Sequence, residues 1–360
     1  MFSKYSEDTL AKKPVILVGS GTSAGVGISG MGALATWLIE KVEIQNLNPD
    51  EKTEWEKIKI RLLSDQMGLE MALQASGTNL TNTLTKEIVK QTWSLIAKDE
   101  RIALLKISAG EDLVGFCRLF NRYQDTTKTA IHLITTNYDH LIEWSASAAG
   151  WLVWDGFENG SIARPLVTDE LSKRMSRVVL AGKNSFTESI KHVRVYKPHG
   201  SLSWFKKPDG SLIRISNISP SDLSYLEEIG LSPVIVTPGT GKYLETHFEP
   251  YNNVMSEMNT IIRNASAFIF LGFGFNDEHI LGSYYTNLRN NSIPKLILAR
   301  TLSDTFHVMR GQGKITNYVA AEMNGNNSKI YSDIISEDLV LNTDIWTLNG
   351  MLSAAWGASV

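Results

Sequence analysis

The sequence predicts an α/β fold in which helices cover both faces of a mostly parallel sheet. Short apolar runs rich in β-branched residues recur along the chain, and segments with helical periodicity separate them. Strands that alternate with helices pair in parallel, because each helix returns the chain to the same end of the sheet. We therefore expect a Rossmann-like sheet whose carboxyl edge carries the ligand-binding loops.

The apolar runs predict strands over residues 14–18, 131–136, 193–196, 234–237, 267–271 and 295–299. Helical patterns cover residues 33–40, 139–149, 246–263 and 277–288. The block from Pro49 to Tyr123 is helical in pattern throughout and is predicted to be a helical insertion. We expect one domain over residues 1–345 and an apolar tail over 346–360, which packs on its own core or on a neighbouring subunit.

Composition excludes several classes of protein. The chain has 360 residues, and 35 basic against 38 acidic side chains give a formal net charge of −3. This balance provides no global attraction to nucleic acid or to anionic membranes, and no nucleic-acid site is evident. The N-terminus lacks the apolar core of a signal peptide, and no apolar stretch approaches the ~20 residues that cross a bilayer. We expect a cytoplasmic protein.

The single cysteine, Cys117, limits redox and metal chemistry. One cysteine forms neither an intramolecular disulfide nor a four-cysteine zinc module. Cys117 lies in an apolar helical pattern, which favours a buried small hydrophobic residue over a catalytic thiol. No metal site is predicted.

The first predicted strand runs into a glycine-rich loop made of Gly19, Ser20, Gly21, Thr22 and Ser23. Glycines let the backbone approach a diphosphate, and amide and hydroxyl groups can donate to its oxygens. With Ala24 the loop fits a dinucleotide fingerprint that is weak by itself. Glu40 has the spacing of a ribose-binding acid but lies in a helical pattern, which argues against a dehydrogenase. A purely structural turn is the alternative.

Two further loops hold polar residues directly after predicted strands. Thr136, Asn137 and Asp139 follow the strand at 131–136, where helix capping and an active site are equally good interpretations. His199 lies before Gly200 in the loop after 193–196, a setting that suits a side chain aimed at a cleft. Histidine titrates near neutral pH and therefore suits acid–base catalysis, with a structural histidine as the alternative.

The fourth loop follows the strand at 267–271 and contains Gly272, Phe273, Gly274, Phe275 and Asn276. Its glycines permit close ligand approach, and Asn276 or Asp277 can cap the next helix. A fifth loop, residues 237–243, contains Lys242, which is either a phosphate partner or a solvated charge. All five loops are expected to converge on one edge of one sheet, and this joint placement predicts a functional site.

The loops at residues 19–23, 136–139, 197–201 and 272–277, in this order, resemble the SIR2 (sirtuin) superfamily, and most closely its bacterial antiphage-defence branch. The resemblance implies that residues 19–23 hold the diphosphate of NAD+ and residues 272–276 the adenosine side. It implies that Asn137 and Asp139 flank the nicotinamide ribose and the amide pocket and that His199 is a general base. Thr136 and Gly200 are expected to bind NAD+ beside them.

Two departures bear on the activity that the resemblance implies. Deacylating sirtuins carry a four-cysteine zinc ribbon, which this chain cannot build, and Ser20 stands where the usual loop has alanine. The resemblance therefore implies an NAD+ hydrolase with Asn137, Asp139 and His199 as catalytic residues, NAD+ as substrate and no zinc. A zinc-free deacylase or ADP-ribosyltransferase and a non-catalytic NAD-binding scaffold are the alternatives.

The resemblance is to a compact, free-standing subgroup that pairs with a HerA-type hexameric ATPase. It implies that the chain acts in antiphage defence by depleting NAD+ and that it forms a large ring-like homo-oligomer.

Overall fold

A computed structural model describes residues 2–126, 130–166, 168–182, 184–237, 251–335 and 338–357. Its strands are β1 (Val15–Val18), β2 (Ala130–Thr135), β3 (Leu152–Trp154), β4 (Ile162–Ala163), β5 (Ser176–Ala181), β6 (Asn184–Ser189), β7 (His192–Tyr196), β8 (Gly200–Lys206), β9 (Leu212–Ile215), β10 (Ser232–Ile235), β11 (Phe268–Leu271), β12 (Lys295–Ala299), β13 (Tyr318–Asn324), β14 (Asn327–Ser332) and β15 (Leu339–Leu341).

The α-helices are α1 (Phe2–Ala11), α2 (Ser20–Ala24), α3 (Met31–Lys41), α4 (Pro49–Leu63), α5 (Leu69–Gln74), α6 (Asn82–Ser108), α7 (Phe116–Gln124), α8 (Leu141–Ala148), α9 (Thr168–Arg174), α10 (Leu223–Glu228), α11 (Tyr251–Arg263), α12 (Glu278–Leu288), α13 (Asp304–Gly311) and α14 (Leu348–Trp356).

The main sheet has nine strands in the order β15-β14-β13-β12-β11-β1-β2-β7-β3. The strands from β13 to β3 are parallel, and β14 and β15 add an antiparallel edge. Val18 pairs with Leu271 on one side and Thr135 on the other, so the carboxyl ends of three strands lie level. The predicted α/β fold with a Rossmann-like parallel sheet is confirmed.

Alternate residues of β1 enter two different cores, because successive side chains of a strand point to opposite faces. Val15 and Leu17 join the core beneath α11, α12 and α13. Ile16 and Val18 join the core beneath α1, α7 and α14. Helices therefore cover both faces of the sheet, which is why β1 is apolar at every position.

The block from residue 49 to 123 contains helices α4 to α6 and most of α7, and no strand. Trp55 and Trp93 are buried in its core together with Phe205 of β8. The indole of Trp93 donates a hydrogen bond to the Leu202 carbonyl at 2.8 Å. This contact attaches α6 to β8, so the helical block is packed onto the strand that follows the loop of His199.

One strand prediction places its segment in the wrong sheet. Residues 232–235 do form β10, but β10 pairs with β8 in a separate antiparallel sheet of order β10-β8-β9-β4. A short apolar run indicates a strand without indicating its partner. The loop after β10 therefore does not extend the edge of the main sheet. Its residues 238–243, with Lys242, lie outside the described residues, as does the first part of the helix predicted over 246–263.

The segment directly after β1 differs from its prediction. Residues 20–24 form the short helix α2, although the glycine content of this stretch predicts a loop.

In the C-terminal tail, α14 buries Leu348, Met351 and Leu352 in the same core as α1. This part of the tail packs on the core of its own chain. No helix of the described segments is long and apolar enough to span a membrane.

Candidate active site

The loops after β1 and β11 touch backbone to backbone. A Cβ atom at Gly19 would lie 2.8 Å from the Cα of Phe273, and one at Gly272 would lie 2.7 Å from the carbonyl carbon of Gly21. Gly272 also has a positive φ of 54°, a conformation that glycine adopts without strain. The amide of Gly21 donates to the Gly272 carbonyl at 3.1 Å. Glycine is required here by the packing of one loop on the other.

The same contact occupies donors that the sequence assigned to a diphosphate. The amide of Gly19 donates to the Leu271 carbonyl at 2.9 Å, and the Thr22 amide donates to the Gly19 carbonyl at 3.0 Å. The Thr22 hydroxyl also donates to the Leu271 carbonyl, at 2.9 Å. These groups hold the two loops together, and Gly21, Thr22 and Gly272 line a separate cavity of about 150 Å³.

A cavity of about 170 Å³ opens at the carboxyl ends of β1, β2, β7 and β11. Most of the predicted site residues line it, namely Gly19, Ser20, Ser23, Thr136, Asn137, Asp139, His199, Phe273, Gly274, Phe275 and Asn276. Gly200 is not among its lining residues and begins β8. The structure therefore brings the main candidate residues of four loops to one cavity.

The N-terminus of α3 also opens onto this cavity. Ser29, Gly30 and Met31 line it, and the N-cap residue Gly30 makes no side-chain capping hydrogen bond. A Cβ atom at Gly30 would meet nothing within 4 Å. The first amides of a helix and its dipole attract anions, so this helix end offers donors for phosphate oxygens. This feature was missed because the helical pattern in the sequence is predicted only from residue 33, whereas α3 begins at Met31.

Asn137, Ser23 and Asp139 form a chain of hydrogen bonds in the cavity wall. The Asn137 amide nitrogen donates to the Gly19 carbonyl at 3.0 Å and to the Ser23 hydroxyl at 2.8 Å. Ser23 in turn donates to Asp139 Oδ2 at 2.6 Å. Both donors of the Asn137 amide are thus used, while its carbonyl oxygen accepts no hydrogen bond from the described residues.

Asp139 and Lys197 hold this hydrogen-bond network in place. Asp139 Oδ1 accepts the Leu141 amide at 3.2 Å at the start of α8. Burial raises the pKa of the Asp139 carboxyl, and the charge of Lys197 acts in the opposite direction. Lys197 is itself fully buried, contacts the Asp139 carbonyl, and lies 2.9 Å from Glu143 Oε1. The sequence analysis assigned no role to Lys197 or Glu143.

A tight turn presents His199 to the cavity. The Gly200 amide donates to the Lys197 carbonyl at 3.0 Å, and Gly200 has a φ of 81°. His199 Nε2 lies 2.9 Å from Asp277 Oδ2. Asp277 also caps α12, because its Oδ1 accepts the Ile280 amide at 3.3 Å. The sequence analysis considered Asp277 only as a helix cap and missed its contact with His199.

Two other predictions concern residues away from this chain of contacts. Cys117 is half-buried, and its thiol donates to the Ser145 carbonyl at 3.4 Å. Burial, followed by the nearby Asp112, raises the pKa of Cys117 to about 11, which keeps it a thiol. The described residues contain no group of three or more His, Cys, Asp or Glu side chains that could hold a metal ion.

Comparison with known protein families gives one match. Residues 131–294, less than half of the chain, match the profile of the SIR2-like domain family. A search of curated protein sequences gives no match.

Solved structures similar to the chain include three Sir2 structures. One, described under the mechanism and regulation of Sir2 enzymes, has 13% identity and a TM-score of 0.41, covering 85% of this chain and 88% of that chain. A Sir2 homologue in complex with NAD has the same identity and TM-score, with coverages of 85% and 82%. A Sir2 variant with a deacetylated peptide and 3′-O-acetyl ADP-ribose has 11% identity and a TM-score of 0.43, with coverages of 96% and 94%.

The loop contact predicts opposite effects at two glycines. Gly272→Ala should lower the free energy of unfolding by about 1–3 kcal/mol, because the new methyl group meets backbone that cannot move aside. The control Gly282→Ala lies in α12 with nothing within 4 Å, and it should raise stability by about 0.5–1 kcal/mol. Urea unfolding followed by circular dichroism measures both. Equal stabilities of the two variants would contradict the loop contact.

Proposed function

We propose that the chain is an NAD+ glycohydrolase that breaks the bond between nicotinamide and ribose. The observation that supports this most strongly is the pairing of His199 Nε2 with Asp277 Oδ2 at 2.9 Å on the cavity that Asn137 also lines. The match of residues 131–294 to the SIR2-like domain family favours NAD+ over other substrates for this cavity.

The donor set of the cavity suits the charged part of NAD+. The diphosphate needs N–H and O–H donors, which the N-terminus of α3 and the hydroxyls of Ser20 and Ser29 supply. The free amide oxygen of Asn137 suits a hydroxyl of the nicotinamide ribose, since a carbonyl oxygen accepts such a donor. In this assignment the diphosphate binds at the start of α3 and not at Gly19 and Gly21, which contact Gly272.

Cleavage of the nicotinamide–ribose bond needs little help from a general acid and more from a general base. Nicotinamide leaves as a neutral molecule, because the broken C–N bond returns its electron pair to the cationic ring. The barrier lies in the oxocarbenium-like ribose, as in glycoside hydrolysis. A water oxygen bonds to the anomeric carbon and loses a proton. His199 is the group that accepts this proton.

Asp277 determines which nitrogen of His199 does this. If Nε2 donates its hydrogen to Asp277, the other ring nitrogen, Nδ1, carries the lone pair that takes the proton from water. The carboxylate then balances the imidazolium that forms. Asp139 acts in a different way from the role implied by the resemblance. It holds Ser23, and through Ser23 the amide of Asn137.

Assembly and biological role extend the same proposal. The resemblance supports a ring-like homo-oligomer that works with a HerA-type hexameric ATPase in antiphage defence, depleting NAD+. NAD+ hydrolysis is therefore to be measured with and without this ATPase, because a partner that gates the enzyme would be needed for turnover.

Removal of the reactive groups should abolish turnover without unfolding the chain. His199→Ala and Asn137→Ala should each slow the release of nicotinamide by about 100- to 10,000-fold. The control is His307→Ala, because His307 is partly buried but does not line the cavity. Chromatography of NAD+, nicotinamide and ADP-ribose gives the rates. If both variants hydrolyse NAD+ at the parent rate, the assignment is wrong.

Asp277 should act through His199 and not through substrate binding. Asp277→Asn retains an oxygen that can cap α12 but loses the charge that balances the imidazolium, so kcat should fall by about 10- to 150-fold. KM should change little, because no ground-state contact is removed. Asp277→Glu should recover part of kcat. A rise in KM at unchanged kcat would show instead that Asp277 binds the substrate.

A further inference from the structure

A second and larger cavity, of about 1010 Å³, lies next to the candidate active site. The boundary between the two falls within one dipeptide, because Asp139 lines the first cavity and His140 lines the second. Neither Asn137 nor His199 lines the second cavity. The two residues assigned to NAD+ cleavage therefore lie outside this cavity.

His140 is held between a carboxylate and a serine hydroxyl in this cavity. Its Nδ1 lies 3.1 and 3.2 Å from the two carboxylate oxygens of Glu100, and its Nε2 lies 3.0 Å from the Ser203 hydroxyl. The backbone amide of His140 also donates to Glu100, at 2.9 Å. The ring orientation is thereby determined, with Nε2 directed at the hydroxyl.

The electrostatics suit a histidine that accepts a proton. Burial disfavours the imidazolium, but the adjacent Glu100 carboxylate outweighs burial and raises the pKa of His140. A nucleophile, a base within hydrogen-bond distance and a third group that orients the base are the arrangement of nucleophilic hydrolases. Here these are Ser203, His140 and Glu100.

Two serines reach His140, but only one of them faces the cavity. Ser201 Oγ lies 3.2 Å from Nε2, yet Ser201 is fully buried and does not line the cavity. Ser203 does line it. The last pair between β8 and β9 is Trp204 with Arg214, so Ser203 is unpaired on that side, and residues 215–218 continue along the cavity wall. Ser203 is itself only 4% exposed, but it lines the cavity and contacts the base.

The walls indicate the class of compound that this cavity takes. Large apolar side chains line it, including Leu104, Trp144 and Trp151. Asn159 and Asn217 lie on the same walls, and their side-chain amides make no hydrogen bond with described residues, so they can donate to a carbonyl oxygen. A neutral ester with an apolar acyl group matches this combination.

We propose that Ser203, His140 and Glu100 form a second catalytic centre, which hydrolyses carboxylic esters with apolar acyl groups. Ser203 Oγ bonds to the carbonyl carbon while its proton moves to His140 Nε2. The ester C–O bond then breaks, and the leaving alkoxide takes that proton as an alcohol. Water, deprotonated by His140, next bonds to the acyl carbon. The bond to Ser203 Oγ then breaks, the carboxylic acid leaves, and His140 returns the proton to Ser203 Oγ.

The direct test is covalent labelling of the folded full-length chain with an alkyl fluorophosphonate, which loses fluoride to an activated serine. Peptide mass spectrometry should find the phosphonyl adduct on Ser203. His140→Gln should slow its formation by about 100- to 10,000-fold, since the base is removed. Ser216→Ala is the matched control, because Ser216 lines the same cavity without a histidine partner and its loss should leave the adduct unchanged.

A purely structural role for the three residues predicts the opposite results. No adduct on Ser203 in the folded chain would overturn the proposal, and this outcome does not depend on any variant folding. An adduct that forms equally fast in His140→Gln would overturn it as well. NAD+ turnover is measured separately from labelling, so failure of this proposal leaves the proposed NAD+ hydrolysis untouched.

Discussion

The backbone of Gly19 lies against the backbone of Gly272, and the rest of the candidate site is arranged around this contact. It joins the loops after β1 and β11, and it leaves the Gly19 carbonyl to accept the Asn137 amide at 3.0 Å. Through Ser23 the same amide is tied to Asp139. The position of Asn137 therefore depends on two glycines, because no other residue lets the loops approach so closely.

Most polar side chains around the cavity form hydrogen bonds or ion pairs with one another, so few of the described groups are available to a ligand. Lys197 is fully buried and pairs with Glu143 under the loop that contains Asn137. Loss of one partner from such a buried pair costs about 3–5 kcal/mol, so the pair makes the loop rigid but also sensitive to substitution. Among the described residues, the groups that remain available include the Asn137 oxygen, one nitrogen of His199, the hydroxyls of Ser20 and Ser29 and the start of α3. The proposed NAD+ hydrolysis uses these groups.

The sequence predicted the parallel sheet and most of the cavity because both follow from local patterns. Apolar runs mark β1, β2, β7 and β11, and the carboxyl ends of parallel strands share one edge. Local patterns do not show which distant residue or strand a segment contacts, and the sequence predictions were incomplete or wrong on such contacts. Asp277 has the pattern of a helix cap, and nothing near it in sequence reveals His199. The apolar run of β10 likewise gives no sign that it pairs with β8.

In the proposed reaction, this cavity cleaves NAD+ with water. The test is incubation with NAD+ in ¹⁸O-water, alone and with the proposed HerA-type ATPase partner, followed by mass spectrometry of the products. We predict free nicotinamide and ADP-ribose that carries one ¹⁸O atom from the attacking water. Intact NAD+ under both conditions would contradict the account, and so would O-acyl-ADP-ribose or an ADP-ribosylated protein as the main product.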